Sequence, residues 1–193
     1  MIQELRLFKT LENLTGDGSQ KAKQSIISDN LSDRFSYMLD ICYNPFVTTK
    51  LHKISFNEVL SDVNHNHWED FRKLIEELKT APAANDLLRG RAHDLVSQKI
   101  SEDPQEDLEL RTVLMKILTK RMNIGIGAKL INKAVKKELI PDPSLMLATD
   151  DHETIEKWDK IYCEEKYDGV RVIALYKNGE FSYFTRAFNE LDS

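Results

Sequence analysis

The chain has 193 residues, 41% hydrophobic and 31% charged, with a formal net charge of −5, which allows one large domain or two small ones with a packed core. No run approaches the roughly 18 apolar residues that a membrane span requires. The opening MIQELRLF lacks the basic-then-apolar order of a secretory signal, so a soluble, cytoplasmic protein with no membrane partner is expected. Cys42 and Cys163 lie far apart with no CxxC or Cys/His spacing, and are read as reduced, mostly buried thiols, neither a disulfide nor a zinc site.

Up to about residue 139 the pattern is helical. Apolar residues recur at three- and four-residue spacing in Ile2, Leu5, Leu7, Phe8, Leu11; in Phe35, Met38, Leu39, Cys42; in Trp68, Phe71, Leu74, Ile75, Leu78; and in Leu108, Val113, Leu114, Ile117, Leu118. Ser55 with Glu58 fits a capping box, Pro82 and Pro104 fit first helical turns, and Gly16, Gly18 and Gly90 are read as turns or helix ends. His65 and His67 lack a nearby carboxylate or cysteine pattern and are read as an exposed helix start, not a metal site. Arg89 and Arg91 are read as solvent-exposed.

Net charge argues against a nucleic-acid partner, but charge is segregated along the chain. From Arg111 to Lys137 there are eight bases (Arg111, Lys116, Lys120, Arg121, Lys129, Lys133, Lys136, Lys137) and no acid, just after the acidic cluster Glu102, Asp103, Glu106, Asp107, Glu109. Residues 146–193 carry six bases against eleven acids. A basic patch on an acidic protein is therefore the footprint to look for. Within that stretch a helix is expected to end near Asn123, Gly125 and Gly127 to expose backbone N–H groups, and a new helix to begin near Ala128. A helix N-terminus behind a glycine loop favours phosphate oxygen, and Lys120, Arg121, Lys129 and Lys133 would surround it. The bland alternative is a solvated basic face with a plain helix–helix turn.

Two prolines one residue apart, Pro141 and Pro143, cannot sit inside a helix and favour an extended connector. The expected organisation is a helical domain over 1–139, a linker at 140–143 and a β-rich domain from 144 to 193. Its strands are expected at Ile161–Lys166, Val170–Tyr176 and Phe181–Thr185, with Asn178-Gly179 as the tight turn. So short a β segment buries little apolar surface alone, and truncation of a longer domain is expected.

Chemistry concentrates in Glu164-Glu165-Lys166-Tyr167-Asp168-Gly169-Val170-Arg171. A lysine, an aspartate and an arginine within six residues can act as nucleophilic amine, acidic partner and phosphate-binding fork, with Gly169 allowing close backbone approach. The alternative is a surface hairpin lysine beside an Asp-Gly turn.

Lys166-x-Asp168-Gly169-x-Arg171 resembles the nucleotidyltransferase motif of ATP-dependent DNA ligases, RNA ligases and mRNA capping enzymes. Thr185-Arg186-Ala187-Phe188-Asn189-Glu190 is similar to the Ser-Arg-x-Gly-x-Glu segment of the same ligases, with Phe188 standing where many members have glycine. Residues 139–148 resemble the connector and first strand before the ligase core, about twenty residues ahead of the lysine. Leu118 to Lys133 resembles the last part of the helical DNA-binding domain of cellular and phage DNA ligases, which separates a DNA ligase from its relatives.

The resemblance implies a mostly α DNA-binding domain followed by the start of an α+β, ATP-grasp-like nucleotidyltransferase domain. It implies Lys166 as the adenylylated residue, with Glu164, Asp168, Gly169, Arg171 and Arg186 around the nucleotide. ATP and magnesium, or manganese, are the implied cofactors, and nicked double-stranded DNA is the implied partner of a monomer. Binding to a sliding clamp is left open, and the implied setting is a bacterial or phage-infected cell, at the nucleoid. Later motifs of the family have no counterpart up to Ser193, so little or no adenylylation and no nick sealing is expected of these residues alone. Two other readings stand beside this one: an RNA ligase or capping-type nucleotidyltransferase, and a non-enzymatic DNA-binding helical module.

Overall fold

Short polar side chains set where helices begin. The Ser32 hydroxyl accepts the Phe35 N–H (3.1 Å) at the start of α3 (Asp33–Tyr43), Asn85 Oδ1 accepts the Leu88 N–H (2.9 Å) at the start of α5 (Asp86–Ser97), and Asp103 Oδ1 accepts the Glu106 N–H (2.8 Å) at the start of α6 (Pro104–Leu118). Each satisfies a donor that the first helical turn leaves unpaired. At α6 the acidic cluster has a local cause as well. Asp103 caps, Pro104 occupies the first turn, and Glu106 and Asp107 face the positive end of the helix dipole. The remaining helices are α1 (Ile2–Asn13), α2 (Ser19–Asp29), α4 (His67–Thr80) and α7 (Ala128–Val135).

The computed structural model describes residues 1–14, 16, 18–54, 66–81, 83–142, 172–177, 179–185 and 190–191. Two compact units emerge, Met1–Asp142 and Pro143–Ser193. The first is mostly helical, and the described part of the second is a small antiparallel sheet. No described helix is long and apolar enough to cross a membrane.

In the helical unit α6 is the central element, packing on α1, α3 and α5, while α2 rests on α1 and α7 and α4 on α5. Its stripe Leu110, Val113, Leu114, Ile117, Leu118 is fully or almost fully buried. Leu108, expected on that stripe, is 45% exposed. It lies two residues before Leu110, about 200° round the helix at about 100° per residue, and so points away from the core. Phe8 of α1 meets Phe35 of α3 edge-on at 5.2 Å, and Phe71 of α4 lies in the same continuous core.

The α5–α6 corner is fixed by a buried ion pair. Asp107 Oδ2 accepts from Arg111 Nε at 2.8 Å, and Asp107 Oδ1 accepts the backbone N–H of Ile100 (2.7 Å) and of Ser101 (3.2 Å). One carboxylate thus neutralises a buried guanidinium and holds the turn that delivers α6.

Two expectations are corrected here. Gly90 lies inside α5, where an added Cβ would meet nothing, because the buried residues Leu88, Ala92, Leu95 and Val96 carry the helix through it. His67 does start a helix, but it is buried, and burial pushes its pKa below the usual value and favours the neutral ring. After α7, Ile140 is buried in the helical core, and Asn132 of α7 clamps residues 139–140, its Oδ1 accepting both N–H groups (3.0 and 2.8 Å) and its Nδ2 donating to the Ile140 carbonyl (2.7 Å). Ser55, Glu58, Pro82 and the Ile161–Lys166 segment lie outside the described residues.

In the second unit β1 (Val172–Lys177) pairs antiparallel with β2 (Glu180–Thr185), which pairs with the two-residue β3 (Glu190–Leu191). Register places Tyr176 opposite Phe181 and Lys177 opposite Glu180, with Gly179 at φ +90°, a positive value of the kind a tight hairpin turn uses. The two rings touch at 4.8 Å.

Asp107→Ala is expected to lower the stability of the helical unit by about 3–5 kcal/mol, since it removes the carboxylate paired with a buried guanidinium and frees two backbone donors. Chemical denaturation checks this, and a loss below about 1 kcal/mol refutes the corner's assigned role.

Candidate nucleic-acid interface

The segment that precedes the glycines is delivered by the way α6 stops. The Lys120 N–H donates to the Ile117 carbonyl (3.0 Å) and the Arg121 N–H to the Lys116 carbonyl (2.8 Å), the paired bonds of a Schellman ending, with Lys120 itself at φ +54°. Glycine is the usual residue there, because a side chain makes the left-handed conformation costly. A compensation is visible at the other end of the side chain. The Lys120 ammonium donates to the carbonyls of Asn44 (2.6 Å) and Val47, groups at and just beyond the end of α3. Burial lowers its pKa, and Cys42 and Asp40 oppose that shift. Burial also pushes the neighbouring Cys42 thiol well above its ordinary range, which keeps it an uncharged core group.

From Arg121 to Gly127 the chain is no longer helical, and residues alternate between core and solvent. Met122, Ile124 and Ile126 are buried, while Arg121, Asn123, Gly125 and Gly127 are exposed. Helix α6 therefore ends at Leu118, five residues before the expected Asn123, because Lys120 turns left-handed and the period changes from 3.6 to 2. The loop is pinned from below: the Ile124 N–H donates to the Tyr43 hydroxyl (3.0 Å) and the Gly125 N–H to Asn123 Oδ1 (2.9 Å). Gly125 adopts φ +71°. Gly127 then precedes α7 with no side-chain capping bond, and α7 has no acidic residue in its first turn.

The eight-base run sorts into two groups. Arg111 is buried on Asp107, Lys116 pairs with Glu12 at 2.5 Å, and Lys120 serves the α3 carbonyls. Arg121, Lys129, Lys133, Lys136 and Lys137 are exposed. Lys129 and Lys133 lie one turn apart on α7, whose opposite face buries Ile131, Ala134 and Val135. Asp142 is the described carboxylate nearest Lys129, at 3.7 Å, in a solvent-exposed pair that is worth little. Of the four bases expected to surround the glycine loop, three reach solvent and Lys120 holds the loop's base.

A further cation reaches this place from far along the chain. Helix α2 packs on α7, and Lys23 of α2 is only 5% exposed, its Nζ lying 2.9 Å from where a Cβ on Gly125 would be. The one sequence cue was its position four residues before the buried Ile27, on the apolar side of its helix.

A second depression, lined by Asp33, Arg34, Tyr37, Trp68, Arg72 and Glu76, opens between α3 and α4. Its arginines are offset by carboxylates, with Tyr37 donating to Glu76 (2.6 Å) and Arg34 stacked over Trp68 at 5.2 Å. It lacks the uncompensated positive charge that a phosphate backbone requires. Arg89 and Arg91 pair with Asp86 and Glu77. Glu164, Lys166, Asp168, Gly169, Arg171 and Arg186 lie outside the described residues, as does Cys163.

No family model matches the sequence, and no curated protein matches it. Among solved structures, the chain is similar to one named "Pmar-Lig_PreS3", with TM-score 0.62 and 25% sequence identity over 97% of this chain and 43% of that chain. It is also similar to "Pmar-Lig_Pre.", with TM-score 0.59 and 27% identity over 97% of this chain and 42% of that one. Both names are ligase-related, and the fold is ligase-like. The chain thus spans less than half the length of either neighbour.

Lys120→Met should cost about 1–3 kcal/mol by leaving the α3 carbonyls without their charged donor. Lys120→Gly should cost less, since glycine relieves the positive φ. Thermal melting of both variants checks the order, and a reversed order refutes the account of how α6 ends.

Proposed function

We propose that this chain supplies the DNA-binding and lysine-bearing portions of an ATP-dependent DNA ligase that seals nicks in duplex DNA. The observation that carries the reading is the joint presence of Lys166-x-Asp168-Gly169-x-Arg171 in the sequence and a ligase-like fold that exposes Arg121, Gly125, Gly127, Lys129 and Lys133 ahead of it.

In this reading the helical unit grips phosphodiester backbone without reading bases, as an enzyme acting on any nick requires. The Lys166 amine attacks the α-phosphorus of ATP; a P–N bond forms, the α–β P–O bond breaks, and pyrophosphate departs. The AMP then passes to the 5′-phosphate of the nick, and the 3′-hydroxyl displaces AMP as the new phosphodiester forms. By the resemblance, Glu164 would bind near the adenine, Arg171 and Arg186 would hold ribose and phosphate, Gly169 would permit close approach and Asp168 would orient the site. Magnesium or manganese, when bound, would offset the phosphate charge. The RNA ligase and capping readings are less favoured because the exposed loop and α7 belong to a helical unit suited to duplex backbone.

Fluorescence anisotropy with labelled nicked duplex DNA and with duplex RNA tests the partner. Tighter binding to the DNA, weakening steeply as salt rises, is expected, and equal or salt-insensitive binding overturns the assignment. In the longer protein that this reading implies, labelled ATP should leave covalent AMP on the wild type and none on Lys166→Ala; label retained by the variant refutes Lys166 as nucleophile.

A further inference from the structure

We infer that Lys23, together with the backbone of residues 125–129, forms a seat for one phosphate of a nucleic-acid backbone. The inference rests on the duplex-DNA reading above and adds to it a residue from the opposite end of the helical unit.

Three observations converge on this place. Among the described residues the ammonium of Lys23 has no carboxylate or carbonyl partner, although the residue is only 5% exposed. Its Nζ is not among the fully buried polar atoms, so the stem is buried while the ammonium stays reachable by an anion. Its ammonium lies against Gly125, whose φ of +71° and 2.9 Å approach leave no room for a side chain. A Cβ at position 125 would displace the ammonium, and glycine lets it lie against the loop backbone.

The backbone supplies the rest. The Leu130 and Ile131 N–H groups bond the Gly127 carbonyl, whereas the N–H groups of Ala128 and Lys129, the first two of α7, have no acceptor among the described residues. They sit at the positive end of the helix, with no capping side chain and no acid in the first turn. A phosphate oxygen can accept from those two donors while the Lys23 ammonium offsets its charge, and the exposed Lys129 and Lys133 add positive charge one turn apart on the same helix.

The full chain tests this with two probes, inorganic phosphate and a labelled nicked duplex, against Lys23→Met and Gly125→Ala. Phosphate should raise the melting temperature of the wild type but not of Lys23→Met. In phosphate-free buffer the methionine variant should melt no lower than the wild type, because the buried stem keeps its volume; this separates a lost ligand from a lost fold. Both variants should bind the duplex about tenfold more weakly, and Lys23→Met should lower the slope of log affinity against log salt by about one, the release of one counterion. A wild type that binds duplex alongside a Lys23→Met with unchanged affinity and slope overturns the seat and leaves the ligase reading standing. A wild type that binds no duplex overturns the ligase reading itself; the seat then survives only as an anion site, if Lys23→Met abolishes the phosphate-dependent melting shift.

Discussion

The left-handed turn at Lys120 is the constraint on which the presented surface depends. Had α6 continued, the 3.6-residue period would have carried Met122, Ile124 and Ile126 round the helix instead of onto one side. With α6 stopping at Leu118, the chain leaves the helical period, buries those three and exposes the residues between them. The strain of a lysine at φ +54° is met by the same residue's ammonium, which closes the end of α3. The end of α6 and the segment that follows α3 are thereby joined at one junction. Tyr43 then fixes the depth of the loop from α3, and Asn123 fixes its curvature from within.

Electrostatics follow from that geometry. A net charge of −5 describes the chain but not its surfaces. Arg111, Lys116 and Lys120 are matched internally, by a buried carboxylate, a carboxylate of α1 and backbone carbonyls, and contribute little to the outer field. Arg121, Lys129, Lys133, Lys136 and Lys137 remain at the surface. A long-range potential that attracts phosphate comes from the second group alone. The acidic cluster upstream is likewise partly structural, as Asp103 caps α6, Asp107 holds Arg111 and Glu106 pairs with Arg6.

A ligase-like fold at 25% and 27% identity, with no family model matching, fits a helical unit specified by burial pattern more than by residue identity. The core is a continuous set of leucines, isoleucines and phenylalanines, where hydrophobic exchange of similar volume is tolerated. Positions whose geometry is demanding are few: Lys120, Gly125, Asp107 and Asn132. They are the places where substitution should change the fold's presentation and not only its stability.

The amino-acid sequence by itself determined the helices before residue 139, the β-hairpin at Asn178-Gly179, the buried Cys42 and the exposed glycine loop, because each depends on local periodicity or on a residue's own φ preference. The lysine motif at residue 166 was also legible, as a linear pattern, though only a resemblance gives it a role. Tertiary structure alone decided which bases in the Arg111–Lys137 run face solvent, that His67 is buried and that Ile140 belongs to the core, since burial is set by neighbours distant in the chain. It decided, too, that Lys23 meets Gly125 across about a hundred residues. Nothing in a local pattern encodes that meeting, because it arises from the packing of α2 on α7, and packing is a property of pairs of helices and not of either one.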